Sequence, residues 1–305
     1  MQKLEPFLSL GCRYFMAIAE TGSVRAASRL LNVAPSAISR QLILLEHQLG
    51  ILLFDRSGRQ LQLAPAGETL LKGLRASTHR HDETLDAIGA LQGLRRGHLK
   101  LATVESISVS LLPEVLRKFA EAYPGIEISI SVAGSEAVTG LVREHAADIG
   151  ITFNPASLDG LVQVYTRDYR VGVIMAPDHP LAGQKTLTLK DCAGHRIAWP
   201  SRGLSLRALL DRSPAARALN KLPAFECDSL RLMATLARMG SCIAFQPTTG
   251  IEQDLAEGAL KWIPLSDRKL PPDRMTIVCR SGHANRPATD AFLALLKSGL
   301  KNVRK

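Results

Sequence analysis

The sequence predicts an α/β protein in three parts: a winged helix-turn-helix over residues 1–64, a linker helix with a hinge over 65–96, and a two-lobed α/β region beyond. Three observations predict it. Short amphipathic helical stretches with capping residues open the chain, a heptad-spaced stretch follows, and strand and helix patterns then alternate from Leu99 onward. The lobes divide as 97–165 plus 268–305 for the first and 166–267 for the second.

With 305 residues the chain exceeds one ordinary core, and 46% apolar with 22% charged residues is normal for a globular protein. No apolar run approaches the roughly 18 residues of a membrane span, and Met1 to Leu10 lacks the pattern of a secretory signal, so a cytoplasmic home and no membrane partner are expected. Cys12, Cys192, Cys227, Cys242 and Cys279 are scattered, with no CxxC pair and no histidine at ligand spacing. They read as buried free thiols, with no metal and no cofactor. A net charge of +10 suits a polyanionic partner. Residues 1–65 carry seven Lys/Arg against four acids, a modest excess, so placement has to carry the argument.

In the N-terminal part, Leu10, Tyr14, Phe15, Ile18 and Ala19 share one helical face, which Gly22 ends. Ser23 caps a second helix, Val24 to Leu31, with small Ala26 and Ala27 for close packing. Asn32-Val33 turns the chain, and Pro35 starts a third helix running to about Gln48. Ile38, Leu42 and Leu45 point inward. Pro35, Ser36, Ser39 and Arg40 gather at the exposed N-terminal end as candidates for reading base edges, with Arg25, Arg29 and Gln41 as candidates for phosphates. Leu52, Leu53 and Phe54, the turn Ser57-Gly58, and alternating Leu61 and Leu63 read as a hairpin wing that brings Arg56 and Arg59 to flanking phosphates. A three-helix core with solvated charges is the plain alternative for any one arginine. Against it stands the agreement of cap, turn, wing and basic positions.

The run Phe15-x-Ala-Ile-Ala-Glu-x-Gly-Ser-x-x-Ala-Ala, then Ala37-Ile38-Ser39-Arg40-Gln41-Leu42-x-x-Leu45-Glu46-x-x-Leu49-Gly50, then Leu53-Phe54-x-Arg56-x-x-Arg59 and Ala66-Gly67, resembles the LysR family. Two positions depart from its pattern. Ala34-Pro35 stands where the family often has Ser-Gln, which removes a side-chain cap and a base-contacting amide. Ala64 stands where Thr usually precedes the proline, a smaller loss of capping at the next helix. The resemblance implies a transcription regulator that binds double-stranded DNA at an inverted repeat and acts with RNA polymerase.

From Pro65 to about Gln92, Gly67, Leu71, Leu74, Thr78, His81, Leu85, Ile88 and Gln92 step by fours and threes as a heptad seam. The seam pairs with a second copy, or else the helix packs on its own domain; the resemblance implies a homodimer and often a homotetramer. His79 and His81 read as solvated or seam-edge residues rather than metal ligands or pH sensors. Gly93 to Gly97, with Arg95 and Arg96, reads as the hinge.

Beyond it, Leu99 to Thr103 alternates as a strand, and Leu111, Leu112, Val115, Leu116 and Phe119 mark a helix. Ile126 to Val132, the helical stretch 136–145 and the apolar run Asp148 to Phe153 complete a mostly parallel set. A second set holds Arg170 to Met175, Ile197-Ala198-Trp199, helical stretches 203–211 and 229–239, and Cys242 to Phe245. Met275 to Cys279 and the helix Thr289 to Leu296 return to the first lobe. Two such lobes suit a cleft for a small molecule, and the resemblance implies the periplasmic-binding-protein-like form of the family's effector domain.

Strand ends nominate the cleft residues: Ser106, Ser135 and Asn154 from one lobe, Ser201, Arg202, Asp228 and Ser229 from the other. The resemblance implies effector contact for Ser106, Ser135 and Ser201; ordinary helix capping is the alternative for each. Glu105 would receive an amine, face solvent or pair with an arginine. Hydroxyls and open N–H groups outnumber acids at these positions, which predicts a small carboxylate-bearing effector. An enzyme is disfavoured: Gly203-Leu204-Ser205-Leu206-Arg207 lacks the closing glycine of a nucleophile elbow, and no HExxH, Walker or GxGxxG pattern occurs. An architectural DNA binder without effector would not need the two-lobed region.

Overall fold

The computed structural model describes residues 8–55, 61–90, 97–219, 224–268, 270–281 and 287–302. The chain divides into two compact units, residues 1–85 and 86–305. In the first, helices α1 (Leu10–Thr21), α2 (Val24–Leu31) and α3 (Pro35–Leu49) are followed by the two-residue strands β1 (Phe54–Asp55) and β2 (Gln62–Leu63), which pair antiparallel. Their core holds most of the residues foreseen from helical spacing, although Leu10 is 45% exposed: Phe15, Ile18, Ala27 and Ile38 are fully buried, and the Phe15 and Phe54 rings lie 5.4 Å apart. The wing tip, with Ser57-Gly58, Arg56 and Arg59, lies outside the described residues, as do the hinge arginines Arg95 and Arg96.

Helix α4 (Pro65–Ala90) is as long as its heptad pattern predicts. Its two halves differ. Leu71 and Leu74 are buried in the first unit's own core, so packing on the home domain claims that part of the seam. Leu85, further along, is 45% exposed. A domain limit at 64/65 therefore cuts through one core; the compact unit extends to Leu85.

The second unit is built on two five-stranded sheets. Strand β3 (Gly97–Thr103) leads through α5 (Glu105–Val109) and α6 (Leu111–Ala122) to β4 (Ile126–Val132), and α7 (Ser135–Arg143) leads to β5 (Ile149–Phe153). Next come β6 (Leu161–Tyr169), β7 (Gly172–Met175), β8 (Ile197–Pro200), α8 (Ser205–Leu210), α9 (Pro214–Leu219), β9 (Phe225–Cys227) and α10 (Leu230–Arg238). The chain continues through β10 (Ile243–Gln246), α11 (Glu252–Ala256), β11 (Lys261–Pro264), β12 (Asp273–Arg280) and α12 (Pro287–Asn302). The first sheet runs β4-β3-β5-β12-β6 and the second β11-β7-β10-β8-β9.

The sheets are mixed rather than mostly parallel. β3 pairs parallel with β4 and β5, but β12 pairs antiparallel with β5 and β6, and β7 is antiparallel to both β10 and β11. The cause is the double crossover between lobes, since β12 re-enters the first sheet from the opposite end. β6 also runs through the boundary expected at 165/166, and the second sheet starts only at Gly172.

Burial follows a two-residue period in the second lobe. Val173, Met175, Ile197, Trp199, Ile243 and Phe245 fill one face, while Ile174, Ala198 and Ala244 fill the other. Helices cover both faces, which explains why these strands read as continuous apolar runs. In the first lobe α6 and α12 lock together, with Phe119 and Phe292 rings edge to face at 5.2 Å.

Candidate functional site

Two sites emerge, one in each unit. In the first unit, Ser23 caps α2 by accepting the Ala26 N–H at 3.1 Å, and Gly22 adopts the left-handed conformation (φ 74°) that ends α1. Asn32 is also left-handed (φ 52°), and the Ser28 hydroxyl donates to the Val33 carbonyl at 2.6 Å, closing the turn between α2 and α3. Ala34 then precedes α3 without supplying a side-chain cap, as its chemistry requires; Pro35 has no N–H, the Ala37 N–H donates to the Ala34 carbonyl at 3.0 Å, and the Ser36 N–H is left for another acceptor. Pro35, Ser36 and Arg40 are exposed, while Ser39 and Gln41 are half-buried; Arg25 and Arg29 of α2 are exposed. Behind this surface the buried Glu46 carboxylate accepts the Leu53 N–H at 2.9 Å and ties the start of the wing to α3.

In the second unit, the nominated residues come from loops at strand ends that converge on a cavity of about 320 Å³ between the lobes. Ser106 and Ser135 line it from the first lobe, and Asp228 and Ser229 from the second. Asn154, Ser201 and Arg202 are not among its lining residues. Ser201 instead gives its backbone N–H to the Cys227 carbonyl at 2.7 Å, and Arg202 is exposed. Asn154 stands behind the site. Its side-chain amide donates to Asp273 Oδ1 at 2.6 Å, and its own oxygen accepts the Arg274 N–H at 3.1 Å.

Two acidic lining residues are absent from the set nominated on sequence. Asp273 begins β12, 119 residues along the chain from Asn154, and only 3% of its surface is exposed. Burial pushes its carboxyl up to about 7 against the opposing pull of the Asn154 hydrogen bond. The signal available was an acid placed just before an apolar strand, after Pro271-Pro272.

Glu105 is the second. It is half-buried and pairs with no arginine side chain among the described residues. Its carboxylate accepts the Ser229 hydroxyl at 2.9 and 3.1 Å and the Arg231 backbone N–H at 3.2 Å, bridging the lobes at the N-terminus of α10. The Arg231 side chain turns away to Asp254. Gly250 (φ 89°) comes so close to Ser106 that an added Cβ would sit 3.1 Å from its Cα, so the lobes meet tightly beside the bridge.

The lining is more acidic than the count of hydroxyls and N–H groups predicts. Three acids, Glu105, Asp228 and Asp273, line the cavity, and no Lys, Arg or His is among its lining residues. Counting hydroxyls missed Asp273 because the return strand delivers it from distant sequence. Among the cysteines, Cys192, Cys227, Cys242 and Cys279 are buried and Cys12 is half-buried. Burial pushes the Cys192 and Cys279 thiols up to about 12. No helix among the described residues is long and apolar enough to cross a membrane.

Comparison with known proteins places a family domain over each unit. Residues 11–68 match the bacterial regulatory helix-turn-helix of the LysR family, and residues 92–301 match the LysR substrate binding domain. A probable nitrogen assimilation transcriptional activator of Synechococcus elongatus is 28% identical over 288 residues, covering 93% of each chain. A full-length OxyR variant of Pseudomonas aeruginosa superposes with a TM-score of 0.71 at 19% identity, covering 97% of this chain and 95% of that one. CbnR in complex with its target DNA superposes with a TM-score of 0.63 at 18% identity, covering 95% and 98%.

Proposed function

The chain belongs to the LysR family of transcription regulators, and from that premise we propose that α3 reads DNA sequence while the cleft of the second unit senses a small molecule. DNA binding through a helix-turn-helix and an effector-binding domain are properties of the family, whose members are regulators and not enzymes. Pro35, Ser36, Ser39 and Arg40 are the proposed base-reading set; Arg25, Arg29, Gln41, Arg56 and Arg59 are the proposed phosphate contacts. One observation carries the assignment: α3 has no side-chain cap at Ala34, and its first turn is exposed beside Arg40. Such an end offers N–H donors to phosphate and lets small side chains approach a groove floor.

Ser106, Ser135, Asp228 and Ser229 form the proposed effector-contacting set, with Asn154 positioning Asp273. Ser201 and Arg202 directly follow β8 in the second lobe. The exposed Leu85 on α4 supports pairing with a second copy, so a dimer, and by doubling a tetramer, would address the two halves of an inverted repeat. Contact with RNA polymerase in the cytoplasm completes the reading.

Arg40→Ala tests it. Removing a base contact should weaken binding to the cognate site by about 1–3 kcal/mol while leaving binding to random DNA nearly unchanged. Arg56→Ala should weaken both and flatten the salt dependence. Equal losses on specific and random DNA for Arg40→Ala would leave it a phosphate contact only. Footprinting across the genome identifies the cognate site needed for the assay.

A further inference from the structure

We infer that the cleft accepts a small ligand bearing a protonated amine on a short apolar skeleton, and discriminates against the corresponding carboxylate. This rests on the effector-binding reading above and names the ligand class. The charge of the lining comes first: Glu105, Asp228 and Asp273 face one cavity of about 320 Å³ with no basic side chain among the lining residues. Three of the arginines around the cleft are engaged elsewhere, while Arg202, two residues before the lining Leu204, is exposed. Arg207 donates to the Pro200 carbonyl and to Asp211, Arg231 pairs with Asp254, and Arg274 pairs with Asp168 at 2.7 Å.

Two of the helix ends that would otherwise welcome a carboxylate are already compensated: Glu105 holds the first turn of α10, and α7 carries Glu136 in its own first turn, whereas α8 starts at the cavity with no acid in its first turn. A ligand carboxylate entering here would have to displace Glu105 and approach two further acids.

Asp273 supplies the positive side of the argument. It is almost wholly buried, accepts one hydrogen bond, from Asn154, and makes no ion pair among the described residues. An ammonium in the cavity provides the missing counter-charge. Ser106 and Ser135 are each 6% exposed, line the same cavity, and have hydroxyls without a hydrogen-bond partner among the described residues. A hydroxyl can accept from an ammonium N–H. Val104, Val132, Phe153 and Leu206 complete an apolar wall for a short carbon skeleton.

The test uses the full chain and probe pairs that share a skeleton: n-butylamine with butyrate, and benzylamine with benzoate. Isothermal titration and thermal unfolding should show binding and a raised Tm with the amines and neither with the carboxylates. Asp228→Asn, at an exposed position, and Asp273→Asn should each weaken amine binding roughly tenfold or more. Carboxylates binding as tightly as the amines, amine binding that survives both substitutions, or no binding by either class would overturn the inference. Ser135→Trp, which fills the cavity, separates this failure from failure of the effector reading. A changed DNA footprint for that variant, with no amine binding, leaves the cleft a sensor of another ligand class. An unchanged footprint with no binding removes both readings.

Discussion

Asp273 makes the stability of the second unit depend on pH in a direction opposite to that of an ordinary surface carboxylate. Its carboxyl is pushed up to about 7 by burial, whereas in an unfolded chain an aspartate titrates near about 4. The unfolded chain therefore gives up this proton first. The unit is most stable below pH 4 with respect to this group, loses stability as pH rises from about 4 to about 7, and is level above that. Three pH units correspond to about 4 kcal/mol, an upper limit because any water reaching the cavity softens the penalty. Asp273→Asn keeps an acceptor for the Asn154 amide and cannot ionise, so it should gain on the wild type by several kcal/mol between pH 4.5 and pH 8. Urea unfolding at the two pH values measures this. Trp199 and Trp262 are the chain's two tryptophans and both lie in the second unit, so their fluorescence reports the relevant transition. A difference between variant and wild type that is the same at both pH values, within about 0.5 kcal/mol, would show that Asp273 ionises normally and refute the argument.

In the first unit, Gly67→Ala should cost about 3 kcal/mol, because the new Cβ collides with the Leu53 carbonyl oxygen and comes within 2.9 Å of Leu63 Cδ2. Circular dichroism should show an early partial melt, and DNA binding should fail at a temperature where the tryptophan signal is still native. Glu46→Ala should destabilise the same unit by about 1–3 kcal/mol by leaving the buried Leu53 N–H without this acceptor. Glu46→Gln, which retains an acceptor oxygen, should lose less; equal losses in urea titrations would mean that packing, not the hydrogen bond, sets the effect.

Local physics made the first unit legible. Caps at Ser23 and Gly22, the turn at Asn32, Pro35 opening α3, and the inward set Phe15, Ile18, Ile38 and Leu42 all follow from interactions between near neighbours in sequence, and the structure has each of them. The central strands of the second unit were legible for the same reason, since a strand buried on both faces must be apolar throughout. Of its edge strands only β4 was. β6, β9 and β11 are partly exposed, carry polar residues such as Gln163, Thr166 and Asp168 in β6, and acquire their role only from the strand beside them.

The sequence by itself determined that this chain has a third helix opened by Pro35 without a side-chain cap, on a winged scaffold, a heptad-spaced helix, and two α/β lobes. It also nominated Ser106, Ser135, Asp228 and Ser229, because helix starts after strands are local features that residue type betrays. Only the tertiary structure decided the character of the cleft. Asp273 reaches Asn154 across 119 residues, and Glu105 meets Ser229 across 124, through antiparallel returns and crossovers that no local pattern encodes. Desolvation and charge depend on everything packed around a group. The sign of the cleft was therefore settled by which distant residues the fold brings there, and it is negative.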